Sequence, residues 1–142
     1  MNYKSCEYSA KVVGIICRMQ FLRREKVKNV PLNGKHIHVE VYMQLANKRK
    51  GSSLTVMLTG ELDHHNAADI RETLDSMLDG SVRELILDMS GVTFMDSSGI
   101  GIVLGRYRRM QERDGRLYLS GLGGSAEKIL RMAGVLGLVE RK

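Results

Sequence analysis

The sequence contains few cysteines and no long apolar run. Only two of its 142 residues are cysteines, Cys6 and Cys17, and two thiols without a repeated spacing predict neither a disulfide framework nor a metal site. The longest apolar run near the start, Val12–Cys17, is much shorter than the ~20 residues that span a bilayer. No small-residue cleavage site of a signal peptide follows it. We therefore expect no membrane anchor, and the scarcity of cysteine is typical of a protein of the reducing cytoplasm.

Acidic residues are also scarce in the first third of the chain. Residues 1–42 carry eight Lys/Arg and three Asp/Glu, a balance of +5, whereas residues 43–142 carry fourteen and thirteen, a balance of +1. Basic arms of this kind often bind polyanions. Because the rest of the chain is nearly neutral, we do not expect nucleic acid to be its main partner.

The structural role of residues 1–42 can be interpreted in two ways. Their strand-like pieces are Val12–Ile16 and His36–Met43. The segment is either an added strand with a basic tail that joins the edge of a sheet, or an extension upstream of a natural start at Met43 that is foreign to the domain. Both readings leave residues 43–142 as the main domain. A chain of this length buries a core without support from metals or disulfides.

Strand and helix patterns alternate through residues 52–142. Apolar runs at Leu54–Leu58, Glu84–Met89 and Leu117–Gly121 indicate strands. Apolar residues at helical spacing follow each run, in segments 67–78, 100–110 and 126–133. Such alternation implies right-handed crossovers between parallel strands. We therefore predict an α/β fold with a mostly parallel mixed sheet of four or five strands and helices packed against it.

The second predicted helix has an apolar stripe and a basic remainder. The residues expected to face the core are Ile100, Val103, Leu104, Tyr107 and Met110. Arg106 and Arg109 fall outside this stripe. Exposed arginines of this kind usually form a solvated face, and the alternative is contact with an acidic partner.

The segment FMDSSGIG, Phe94–Gly101, places a carboxylate, two hydroxyls and two glycines between a predicted strand and a predicted helix. Ser or Asp at such a position commonly caps the helix. One hydroxyl is sufficient for a cap, so the second is free to face solvent. Gly99 and Gly101 each weaken a helix by up to ~1 kcal/mol relative to alanine. They indicate close approach, either of another surface or of the helix to its own sheet.

Catalysis by these hydroxyls has weak support in the sequence. His64 and His65 are candidate bases, because they follow the preceding predicted strand and approach Asp96 if the two strands are neighbours. However, MDSSG lacks the G-x-S-x-G pattern. The GIG segment with Gly105 lacks the lysine and the spacing of a P-loop, and GLGG at 121–124 is too short for a dinucleotide-binding motif. Asp63, His64 and His65 are adjacent, so their side chains diverge and predict no metal site. We assign no catalytic residue.

Two long motifs resemble one known family. They are TGELDHH at residues 59–65 and FMDSSGIGIVLGRY at residues 94–107. Together with DGRLYL at residues 114–119 and MAGV at residues 132–135, they resemble the STAS-domain anti-sigma factor antagonists, most of all those of spore-forming bacteria. The match covers about residues 43–141. It implies a regulatory protein of sporulation and not an enzyme.

The resemblance implies a switch controlled by phosphorylation. In this family the serine directly after the motif aspartate, here Ser97, is phosphorylated by the partner anti-sigma factor, which is a serine kinase, and a phosphoserine phosphatase reverses the modification. The unphosphorylated protein binds the anti-sigma factor and releases the sigma factor, and phosphorylation ends the binding. The chain itself carries no cofactor. The implied partner-binding residues are Asp63, His64, His65, Asp96, Ser97, Ser98 and Gly99.

An alternative within the same family is a STAS module of a stress-response partner-switching cascade, which acts on a different sigma factor. The chain also departs from the family at both ends, since residues 1–42 have no counterpart. The family has a further helix after its last strand, whereas this sequence stops at Lys142. We therefore expect the C-terminal helix to be absent and one flank of the sheet to be exposed, which favours a homodimer.

Overall fold

The computed structural model describes the backbone of four N-terminal strands and the whole of residues 43–142. In the N-terminal segment the described backbone comprises residues 7–12, 15–22, 27–32 and 35–40. The side chains of the basic arm and the thiols of both cysteines lie outside the described residues. Every side chain discussed below belongs to residues 43–142.

The described residues form nine strands, three α-helices and one 3₁₀ turn. The strands are β1 Glu7–Val12, β2 Ile15–Leu22, β3 Val27–Leu32, β4 Lys35–Glu40, β5 Met43–Lys50, β6 Ser53–Leu62, β7 Glu84–Met95, β8 Arg116–Ser120 and β9 Glu140–Arg141. The helices are α1 Ala67–Met77, α2 Ser97–Gln111 and α3 Gly124–Met132, and the 3₁₀ turn is Val135–Gly137. No helix among the described residues is long and apolar enough to cross a membrane.

Strands β5 to β9 form the predicted mixed sheet. β5 and β6 pair in an antiparallel hairpin, whose turn contains Gly51 at a φ of +59°. β6, β7, β8 and β9 are parallel neighbours in that order, and one α-helix lies between each successive pair in the chain. This confirms the predicted α/β fold with a mostly parallel mixed sheet.

The N-terminal strands extend this arrangement. β2 pairs antiparallel with β5 and β1 pairs with β2, so the complete sheet has seven strands. β3 and β4 form a separate two-stranded sheet. The predicted strand at residues 12–16 coincides with the connection from β1 to β2, of which residues 13–14 lie outside the described part.

The core lies between the sheet and the buried faces of the helices. Alternate residues of β6 and β7 are buried, as expected for strands that cover a core with one face; they are Leu54, Val56, Leu58, Leu85, Leu87 and Met89. α1 buries Ala67, Ile70 and Leu74. These three residues belong to the apolar stripe that the sequence predicts.

The buried face of α2 agrees only in part with the one predicted, since Val103 and Met110 are buried as expected. Its buried residues are Gly99, Ile102, Val103, Arg106 and Met110. Ile100, Leu104 and Tyr107 are only half-buried. The prediction that Arg106 belongs to the solvated face is therefore wrong, whereas Arg109 is exposed as predicted.

An ion pair explains why an arginine lies inside. The Arg106 guanidinium is 2.9 Å from Asp75 Oδ1 of α1, and the Arg106 side chain is only 6% exposed. Arg106 Nη1 also donates a hydrogen bond of 3.3 Å to the carbonyl oxygen of Arg71. The other oxygen of Asp75 lies 3.4 Å from Arg109 Nη2. One carboxylate of α1 therefore binds two arginines of α2 and joins the two helices.

Removing one partner of this ion pair should destabilise the domain. We expect Asp75→Asn to lower the free energy of unfolding by about 2 kcal/mol, because it leaves the buried Arg106 guanidinium without its counter-ion. The double variant Asp75→Asn/Arg106→Met should recover most of that loss, since it removes both charges. Urea denaturation of the two variants measures both changes.

Glu72→Gln is the matched control for this experiment. Glu72 lies on the same helix and is exposed, so its substitution should change stability by less than ~0.5 kcal/mol. Equal stabilities of Asp75→Asn and Glu72→Gln would show that the ion pair does not hold the helices together.

Candidate functional site

Two loops lie side by side at the carboxyl end of the sheet. β6 and β7 are parallel neighbours, and Leu62 is opposite Met95 in their register. Just beyond these residues, the Asp96 N–H donates a hydrogen bond of 3.2 Å to the carbonyl oxygen of Leu62. The pairing thus brings the loop before α1 next to the first turn of α2. Polar residues that are over 30 positions apart in sequence meet here.

The Asp96 carboxylate connects the two loops. Asp96 is the N-cap of α2, and its Oδ1 accepts a 2.7 Å hydrogen bond from the backbone N–H of Ser98. Its Oδ2 accepts a 3.1 Å hydrogen bond from the backbone N–H of His64. Burial raises the pKa of Asp96, but the hydrogen bonds from Ser98 and His64 outweigh it and hold that pKa below its usual range. The group that joins the loops is therefore an ionised carboxylate.

Asp63 plays the corresponding part at the start of α1. Its side chain is almost fully buried, and its Oδ1 accepts hydrogen bonds from the backbone N–H groups of His65 at 3.0 Å and Asn66 at 3.3 Å. The N-cap position itself is Asn66, whose side-chain amide donates to the Glu61 carbonyl oxygen at 2.6 Å. Asp63 therefore shapes this loop from inside, and its direct part in partner binding stays a prediction.

The two serines differ in their surroundings. Ser97 is exposed at the first position of α2, whereas Ser98 is half-buried and its N–H binds Asp96. The cap of α2 is the aspartate, so neither serine is needed for it. Within residues 43–142, no hydrogen bond holds the Ser97 hydroxyl. The Ser97 side chain is therefore accessible at the surface.

The two histidines lie on the surface beside the serines. His64 Nδ1 is 3.5 Å from Asp96 Oδ2, and the centres of the two imidazole rings are 3.8 Å apart. This agrees with the expectation that they approach the Asp96 loop. In the part of the chain with described side chains, however, no hydrogen bond joins either imidazole to a serine hydroxyl.

Gly99 and Gly101 of α2 meet different neighbours. A Cβ on Gly99 would lie 2.6 Å from Met95 Cγ and 2.8 Å from a methyl carbon of Leu62, both in the core. Gly99 therefore allows α2 to pack on its own sheet. Gly101 is exposed, and a Cβ there would lie 3.0 Å from Nη2 of Arg71, which crosses from α1. The position of Arg71 is the main feature that the sequence did not predict. Gly101, four residues after Ser97, was the sequence feature that could have indicated a side chain crossing α2 at this point.

This arrangement of strands, helices and exposed serine defines an α/β domain of the STAS fold. Residues 44–141 match the STAS domain family, and the chain belongs to that family. The resemblance recognised in the two long motifs is confirmed.

Proteins of known identity show the same similarity. An anti-sigma F factor antagonist from Paenibacillus polymyxa is 30% identical over 98 residues, which cover 68% of this chain and 84% of that protein. The anti-sigma factor antagonist SpoIIAA in its unphosphorylated form has a TM-score of 0.61 at 30% identity, over 70% of this chain and 87% of that one. The Bacillus cell fate determinant SpoIIAA in its phosphorylated form gives a TM-score of 0.56 at 31% identity, over 70% and 90%.

The glycines provide a paired test of packing. We expect Gly99→Ala to lower the free energy of unfolding by about 1–2 kcal/mol, because overpacking against Met95 and Leu62 exceeds the gain in helix propensity. Gly101→Ala should be neutral or stabilise by up to ~1 kcal/mol, since the exposed Arg71 side chain can move aside. Thermal and urea denaturation of both variants measure the difference. The opposite order of stabilities would contradict this account of α2 packing.

Asp96 should make the stability depend on pH. Because its pKa is lowered by folding, its contribution is present above the unfolded value of ~3.9 and is lost as the pH falls through the lower folded value. We expect Asp96→Asn to be about 0.5–1 kcal/mol less stable than the wild type at pH 7, because asparagine can still cap the helix but lacks the negative charge that the amino end of α2 favours. The difference should shrink below about pH 4. Urea midpoints between pH 3 and 7 measure it, and a constant difference would refute an ionised cap.

Proposed function

We propose that this protein is an anti-sigma factor antagonist that is switched by phosphorylation of Ser97. In its unphosphorylated form it binds an anti-sigma factor that is a serine kinase, and so releases the sigma factor. Phosphorylation ends this binding. The observation that carries the proposal is the exposed, unbonded Ser97 hydroxyl, directly after the motif aspartate in a STAS domain.

The similar proteins support this function. The P. polymyxa relative is named an anti-sigma F factor antagonist. SpoIIAA has been solved in both an unphosphorylated and a phosphorylated form, so a protein of this fold exists in the two states that the proposal requires. The partner-binding surface would consist of His64, His65, Asp96, Ser97, Ser98 and Gly99, with Asp63 supporting it from below.

Electrostatics explains how a phosphoryl group could change binding without changing the fold. A phosphoserine carries about −1.5 to −2 charges near neutral pH. The amino end of α2 favours this charge, while the neighbouring Asp96 carboxylate opposes it. The two effects act in opposite directions, so the helix start can survive modification. The surface above Ser97 changes most, because a bulky dianion occupies the place where a partner must pack closely.

Other parts of the proposal follow from the same role. The chain acts by binding and is not itself an enzyme, and the kinase supplies the nucleotide, the metal and the base. A phosphoserine phosphatase restores the binding form, and the exchange takes place in the cytoplasm. A homodimer through the flank that carries the exposed Leu138 is a further prediction.

Site-directed variants test the switch. When the protein is incubated with its anti-sigma factor and ATP, we expect mass spectrometry to find one phosphoryl group on Ser97. Ser97→Ala should stay unmodified and keep its affinity, whereas Ser97→Asp should bind at least about tenfold more weakly because its charge lies in the interface. Affinities can be measured by calorimetry.

Ser98→Ala is the matched control, since it removes the neighbouring hydroxyl and leaves the Asp96 hydrogen bond to the Ser98 N–H intact. This variant should be phosphorylated like the wild type. Phosphorylation at a different residue, or wild-type affinity of Ser97→Asp, would overturn the proposed switch.

A further inference from the structure

We propose that Arg71 of α1 binds the phosphoryl group on Ser97 and so forms an anion site that spans the two helices. This inference rests on the proposed function, because it concerns the modified state of the same serine. It gives α1 a role in the switch, although none of its residues was assigned to the partner-binding surface. The ligand is a phosphate monoester dianion, held by a guanidinium group and by the amino end of α2.

The first step is the position of the guanidinium. Arg71 Nη2 lies 3.0 Å from the point where a Cβ on Gly101 would be. Gly101 is four residues after Ser97, and residues at this spacing lie on the same face of a helix. The arginine therefore lies over the helix face that begins with Ser97, in space left open by a missing side chain.

The second step is distance. Cβ atoms four residues apart in a helix are separated by ~5–6 Å. Since Nη2 is 3.0 Å from the Cβ position of Gly101, it lies at most about 9 Å from the Ser97 Cβ. A phosphoryl group extends from the serine hydroxyl across part of this gap. Rotation of the exposed Arg71 side chain is sufficient to cover the remainder.

The third step is the absence of a competing partner. Across residues 43–142, no carboxylate lies within ion-pair distance of the Arg71 guanidinium. Arg106 of α2 donates a hydrogen bond to the Arg71 carbonyl oxygen and shares the carboxylate of Asp75 with Arg109. Burial lowers the pKa of Arg106, and the positive charges of Arg109 and Arg71 add to this effect. Asp75 is thus engaged by the arginines of α2, and the Arg71 guanidinium is left without a carboxylate among residues 43–142.

The backbone of Arg71 is also fixed in place. Its carbonyl oxygen accepts the hydrogen bond from Arg106 Nη1 at 3.3 Å. The base of the arginine side chain is therefore held beside α2. Less conformational freedom is lost when a side chain with a fixed base binds a ligand.

Phosphoserine placed at position 97 by genetic encoding tests this site, because the kinase is then not needed. A cation close to the phosphate favours its dianion, so we expect ³¹P NMR titration to give a lower second pKa for the wild type than for R71Q. The expected difference is about 0.5 pH unit, a value reduced from the ~1–3 of close charge pairs because the site is exposed. The nearby titratable groups are Asp96, adjacent in sequence, and His64, whose Nδ1 is 3.5 Å from Asp96 Oδ2; both are the same in every variant.

R108Q is the matched control, since Arg108 is an exposed arginine of α2 that is eleven residues after Ser97. Its phosphoserine should titrate like that of the wild type. Equal pKa values for the wild type and R71Q would overturn the site, as would an equal change in R108Q. This experiment does not depend on the specificity of the kinase, so it tests the Arg71 site alone. The proposed function is tested separately, by mapping the residue that the kinase modifies.

Discussion

The Asp96 carboxylate is the interaction on which the site depends. It accepts one backbone N–H from the first turn of α2 and another from the loop before α1. Helix starts expose several N–H groups without partners, and here a single ionised side chain satisfies one in its own helix and one in a neighbouring loop. The parallel pairing of β6 and β7 makes this possible, because it ends both strands at the same edge of the sheet. The result is a fixed surface that presents the Ser97 hydroxyl.

α1 and α2 are also joined directly, at a point further from the sheet edge than Asp96. Asp75 binds Arg106 inside the domain and Arg109 at its surface, and the carbonyl oxygen of Arg71 receives a further hydrogen bond. These contacts place α1 beside the exposed face of α2. These contacts explain why Arg71 of α1 lies over Gly101 of α2. The sequence of either helix alone does not predict this contact.

The fold could be predicted from the sequence largely because apolar spacing is a local property. The apolar runs of the strands and the apolar stripe of α1 predicted the alternation of strands and helices. The two long motifs identified the family. The buried face of α2 was predicted only in part, since Arg106 was assumed to be solvated and its partner Asp75 is 31 residues away. The roles of the glycines could not be separated either. Only the packing shows that Gly99 meets the core and that Gly101 meets the exposed side chain of Arg71.

The hydrogen bonds of Asp96 use backbone N–H groups and leave the Ser97 hydroxyl uninvolved. Adding or removing a group at that hydroxyl therefore breaks none of the bonds that hold the loops. In the proposed switch, the protein needs no slow structural relaxation between its two states. The response time would then be set by the rates of the kinase and the phosphatase. A cell could adjust the speed of the signal through the abundance of these two enzymes alone.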